Sequence, residues 1–114
     1  MELIIVDDDK DLREVVQALL ATRFDVRVFS SGRPAVEALL EDGADLVLSD
    51  LALPGLTGEE VANVAATVSP RPWIVLMSGD YARLERARSI ADATLLKPFT
   101  IRELMNACLA DREN

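Results

Sequence analysis

Five short apolar runs alternate with five helix-patterned stretches, and that alternation restricts the fold more than any other feature of the chain. The runs occupy residues 3–6, 26–29, 45–49, 73–77 and 93–96. Their interiors carry few polar residues, as expected of strands covered on both faces. Between them, Leu12, Val15, Val16, Leu19 and Leu20 recur at the spacing of one helix face. Val36, Leu39 and Leu40 mark a second helix, and Val61, Val64, Ala65 and Val68 a third. A polar, arginine-rich stretch over residues 82–91 is a weaker fourth helix. Ile101, Leu104, Met105, Cys108 and Leu109 form the last stripe.

The punctuation agrees with this division. Asp9 stands where a cap for the first helix is needed, and Ser31, Gly32 and Pro34 introduce the second, which Gly43 stops. Thr57 with Glu60, and Thr100 with Glu103, have the spacing of capping boxes. Pro70 and Pro72 end the third helix, because proline lacks a donor and restricts its predecessor. Five βα units in series predict an α/β fold, a doubly wound parallel sheet with helices on both faces and right-handed crossovers. In such sheets a ligand binds beyond the carboxyl ends of the strands.

Length sets the scale: 114 residues make a single domain, residues 1–114, with one core and no output domain. Half the residues are hydrophobic and the net charge is −8. An acidic chain of this kind argues against sequence-independent nucleic-acid binding and against attachment to anionic membranes. Cys108 is the single cysteine, which excludes an internal disulfide and fits a reducing compartment. With no signal peptide and no membrane span, the expected location is the cytoplasm.

At the carboxyl ends of the predicted strands stand Asp7 and Asp8, then Asp50, then Ser78 with Gly79, then Lys97 with Pro98. Buried carboxylates side by side are costly unless a cation offsets them. Oxygen ligands suit a hard ion such as Mg²⁺. A lysine point charge and a hydroxyl donor suit a phosphoryl group, and a carboxylate that attacks phosphorus forms an aspartyl phosphate.

These motifs together (Val6-Asp7-Asp8-Asp9, Asp50 with Pro54 and Gly58, Met77-Ser78-Gly79 and Leu96-Lys97-Pro98-Phe99) resemble the receiver domain of two-component response regulators, over essentially the whole chain. The resemblance implies a flavodoxin-like fold with strand order 2-1-3-4-5, as in chemotaxis-regulator-like phosphoacceptor domains. It implies that Asp50 accepts a phosphoryl group from a histidine kinase or a histidine phosphotransfer protein. Asp8 would ligate Mg²⁺ directly, Asp7 mostly through water, and Asp50 and the Ala52 backbone carbonyl would complete the protein's ligands. Lys97 would pair with phosphoryl oxygens, Ser78 would swing to meet them, and the Lys97-Pro98 bond would be cis. Such a domain is no ordinary enzyme; it catalyses its own phosphorylation and dephosphorylation. Its output would be contact with a downstream protein target, as a monomer or weak dimer.

Two positions depart from the family's pattern. Thr94 replaces the usual aromatic three residues before the lysine, so the inward turn of a ring cannot report phosphorylation here. Ala52 lies two residues after the acceptor, where a methyl group cannot position water, and this shifts the expected tuning of hydrolysis to Asp80. Two other readings stand beside the phosphoacceptor: a pseudo-receiver that only binds proteins, and a Mg²⁺-dependent phosphatase resembling the haloacid dehalogenase superfamily, with Asp7 and Asp9 as its D-x-D. The latter leaves Asp50 without a role. Arg83, Arg86 and Arg88 read as a solvated helix face, Trp73 as packing, Cys108 as core, and Pro54, Gly55 and Gly58 as turn residues without chemistry.

Overall fold

The computed structural model describes residues 1–109. Five strands, β1 (Glu2–Val6), β2 (Asp25–Phe29), β3 (Leu46–Asp50), β4 (Trp73–Ser78) and β5 (Ala93–Leu96), form one parallel sheet in the order β2-β1-β3-β4-β5. The helices are α1 (Lys10–Leu20), α2 (Gly32–Asp42), α3 (Gly58–Ala65), α4 (Tyr81–Arg86) and α5 (Ile101–Leu109), with a 3₁₀ turn at Arg88–Ile90. The strand order and the coverage on both faces match the sequence expectation.

Successive strand residues feed opposite faces, so each apolar run builds two apolar clusters at once, where the length of the chain led to the expectation of one core. Ile4, Val6, Val47, Ile74 and Leu76 pack with Ala35, Leu39, Val61, Ala62 and Leu84 beneath α2, α3 and α4. Leu3, Ile5, Leu46, Leu48, Val75 and Met77 pack with Val16, Leu20, Leu104 and Cys108 beneath α1 and α5. Trp73 joins this second layer and donates from Nε1 to the carbonyl of Ala107 at 2.9 Å, so it is a packing residue. Among the described residues no helix is long and apolar enough to cross a membrane.

The capping expectations hold for α1, α3 and α5, whereas Ser31 precedes α2 without a side-chain capping bond. Asp9 accepts from the N–H groups of Asp11 and Leu12 at 3.1 and 3.2 Å. Thr57 with Glu60 and Thr100 with Glu103 form reciprocal capping boxes. Gly43 ends α2 with φ of 70°, a conformation open to glycine. The Lys97-Pro98 bond is cis, and Ser69-Pro70 is also cis.

Helix faces were less legible than helix positions. Val15 is 57% exposed, Leu40 63% and Ile101 60%, although all three sit on the periodic stripes. In α2 the small residues Ala35 and Ala38 take the sheet-facing positions beside Leu39, which turns Leu40 outward. Helix α3 closes at Ala65, and Val68 lies in the turn after it. The arginine-rich stretch is shorter than expected, since a regular helix over 81–86 gives way to the 3₁₀ turn.

Candidate functional site

The carboxyl ends of β1, β3, β4 and β5 bring Asp7, Asp8, Asp50, Ser78 and Lys97 to one rim. Adjacent pairing of β1 with β3, and of β3 with β4, follows from the register Val6↔Ser49 and Asp50↔Met77. Each functional side chain therefore belongs to the last residue of a strand or to the loop directly after it. Strand apolarity sets the register, and the register sets the site.

Asp7 and Asp50 are buried, while Asp8 is exposed. One carboxylate oxygen from each lies within 4.8 Å of the others. Lys97 reaches across from the β5–α5 loop; its Nζ donates to Asp7 Oδ2 at 2.9 Å and lies 2.9 Å from Asp50 Oδ1. A single ammonium thus faces two buried carboxylates, with a third carboxylate at the mouth. Burial pushes the Asp50 carboxyl above its ordinary range, against the pull of Lys97 and of the Ala52 N–H, and the Asp7 charge adds to the rise. For Lys97, burial works against the charged form, but the hydrogen bonds to Asp7 and Asp50 outweigh it and hold its pKa above normal.

This rim fits a hard divalent cation. Its donors are all oxygens, and its excess negative charge is uncompensated by Lys97 alone. Asp9 stands apart from the cluster as a helix cap, which removes the second carboxylate of the D-x-D reading. The peptide N–H of Ala52 faces the Asp50 carboxyl.

The Ser78 hydroxyl is buried and accepts from the Asp80 N–H at 2.9 Å. Asp80 caps α4, accepting from the Arg83 N–H at 3.1 Å. Thr94, beside Leu76 in the sheet register, is half-buried and places no ring near Ser78.

Three contributors were missed or misread from sequence. Arg13 donates to the Asp7 carbonyl at 2.8 Å and steadies the loop after β1. Gly58 is more than a turn residue: a Cβ there would overlap the Asp50 carbonyl oxygen and come within 2.6 Å of Leu51 Cα. Only glycine lets α3 start so close to the end of β3. Arg83 is not part of a solvated face. It forms a two-pronged pair with Glu59, with Nε and Nη2 each 2.8 Å from a carboxylate oxygen, and it donates to the Leu51 carbonyl at 2.9 Å. Its partner lies 24 residues away, so no local spacing announces it.

A surface cleft of about 390 Å³ lies at the other end of the sheet between Ala44, Pro70, Trp73 and Asp92, away from these carboxylates.

Residues 3–109 match the response regulator receiver domain. The response regulator receiver protein CpdR of Brucella abortus is 34% identical over 108 residues, covering 91% of this chain and 90% of CpdR. The DNA-binding response regulator MtrA of Mycobacterium tuberculosis is 35% identical over 107 residues, covering 90% of this chain but 46% of MtrA. This chain therefore spans about half the length of MtrA. In structure, the chemotaxis response regulator CheY4 of Vibrio cholerae superposes with a TM-score of 0.83 at 22% identity, covering 97% of this chain and 96% of that one. With the match to the family running through every strand and helix, the chain belongs to the response regulator receiver domains.

Proposed function

We propose that Asp50 is the residue that carries the phosphoryl group of this receiver, in a cytoplasmic two-component or phosphorelay pathway. The observation that supports this most strongly is the placement of Lys97 between Asp7 and Asp50, 2.9 Å from each. In the reaction, an Asp50 carboxylate oxygen attacks the phosphorus of a phosphohistidine on a kinase or phosphotransfer protein. The new O–P bond forms as the N–P bond breaks, and the imidazole nitrogen regains its lone pair and takes a proton. Lys97 exchanges one carboxylate partner for a phosphoryl oxygen, and the Ser78 hydroxyl turns from Asp80 to donate to another. Asp7, Asp8, Asp50 and the Ala52 carbonyl would hold Mg²⁺, whose chemistry is to neutralise the oxygens of the transferring group.

The phosphoryl group is lost by hydrolysis: water attacks the phosphorus, the Asp50 O–P bond breaks, and inorganic phosphate leaves with the Asp50 carboxylate restored. The Ala52 methyl cannot orient that water, whereas Asp80 stands next to the Ser78–Gly79 turn. Asp80→Ala should lengthen the lifetime of the phosphoryl group; an unchanged lifetime removes Asp80 from hydrolysis. The downstream target is a protein, since the chain's charge of −8 provides no basic footprint for nucleic acid. DNA binding is described for MtrA, and this chain matches only part of that regulator.

The test is a titration with Mg²⁺ and then beryllofluoride, followed by amide shifts. The proposal expects Asp7, Asp8, Asp50 and Ala52 to respond to Mg²⁺, and Ser78 and Lys97 to respond to beryllofluoride. Silence at all six sites would contradict it. Trp73 is a poor reporter, because it begins β4 while Ser78 ends it.

A further inference from the structure

The loop after Asp50 and the start of α4 are joined through one side chain. The Leu51 carbonyl accepts twice, from the Gly58 N–H and from Arg83 Nη2, each at 2.9 Å. Glu59, in the first turn of α3, holds the other edge of the same guanidinium. The Arg83 N–H is in turn capped by Asp80, whose own N–H donates to the Ser78 hydroxyl. A continuous path of hydrogen bonds therefore runs from Ser78 through Asp80 and Arg83 to Leu51, the residue after Asp50. Both ends of the path lie at the reactive rim, and α4 lies in the middle.

We infer that Arg83 is a positioning residue that ties α4 to the phosphoacceptor segment, so that α4 is displaced when a phosphoryl group is added to Asp50. Turning the Ser78 hydroxyl toward that group removes the acceptor of the Asp80 N–H and loosens the first turn of α4. The added charge near the guanidinium changes its balance between Glu59 and the rim. The fork geometry matters: two prongs to Glu59 and a third donor to Leu51 define one orientation, which an ammonium cannot reproduce. The surface formed by α4 and the first turn of α3 is then the surface that changes with phosphorylation.

The inference rests on Asp50 being the acceptor, and the experiment separates the two. Amide shifts are followed on adding Mg²⁺ and beryllofluoride to the wild type, Arg83→Gln, Glu59→Gln and the exchanged pair Glu59→Arg/Arg83→Glu, with each fold checked by circular dichroism. In the wild type, shifts should appear at Asp50 and Leu51 and also at Tyr81–Arg86. In Arg83→Gln the Asp50 and Leu51 shifts should persist while those of α4 are mostly lost. The exchanged pair restores the ion pair but not the donor to Leu51, so it should resemble Arg83→Gln; full recovery of the α4 response would reduce Arg83 to a structural ion pair and overturn the inference. An α4 response that is unchanged in Arg83→Gln and Glu59→Gln also overturns it. If Arg83→Gln does not fold, Glu59→Gln, which keeps the Leu51 contact, decides: a weakened α4 response supports the inference and an intact one does not. A wild type silent at Asp50 itself overturns the acceptor reading, and this inference with it.

Discussion

The two ends of the sheet both carry acids, and they treat them differently. At the amino end, Asp45 accepts from the Glu2 N–H at 2.7 Å, and Asp92 accepts from the Ile74 N–H at 2.7 Å and from Arg71 at 2.8 Å. Each of these carboxylates has a backbone donor that it serves, which is ordinary structural satisfaction. At the carboxyl end, Asp7, Asp8 and Asp50 crowd together, and one ammonium is shared between the two that are buried. The first arrangement closes loops; the second gathers negative charge of the kind that a divalent cation would offset. Acid content alone does not distinguish the ends. Backbone donors do not either, since Asp7 accepts from the Asp9 N–H at 2.9 Å and Asp50 from the Ala52 N–H; the clustering of three carboxylates within 4.8 Å of one another does.

Lys97→Ala should separate the two ends most sharply. It removes a preorganised donor from the reacting oxygens and should slow phosphoryl transfer by roughly 10²–10³-fold, measured as the rate of incorporation from a small phosphodonor. Arg71→Ala, the loss of a cation at the other end, should leave that rate unchanged. Equal effects from the two would break the comparison.

Asp92→Ala should act on stability and not on chemistry. Leaving the Ile74 N–H without its acceptor costs about 1–3 kcal/mol, read from the midpoint of urea unfolding, with incorporation at the wild-type rate. Mg²⁺ should show the reverse specificity. Bound to the folded rim only, at a free concentration ten times its dissociation constant, it adds about 1.4 kcal/mol to stability. That increment should survive in Asp92→Ala and vanish in Asp50→Asn. An increment retained in Asp50→Asn would place the ion elsewhere.

The sequence made the fold legible because each strand is an apolar run and each helix has a cap or a stripe; Asp9, Thr57 and Thr100 cap as their positions imply. Helix orientation was harder, since periodicity cannot weigh Ala35 and Ala38 against Leu40 for the sheet-facing side. The carboxylate cluster was legible because strand ends converge on one rim in this topology. Arg83 was not, because its partners Glu59 and Leu51 come from another βα unit. Gly58 was recognised as a motif residue but not as the close approach that it is; only the packing of α3 on Asp50 reveals it.

The most direct test of the account is the mass of the intact protein after incubation with Mg²⁺ and a small phosphodonor, for the wild type and Asp50→Asn. The account predicts a single added phosphoryl group that is acid-stable, labile to base and dependent on Mg²⁺ in the wild type, and none in Asp50→Asn. The same adduct in Asp50→Asn, or a wild type that takes up none, would contradict it.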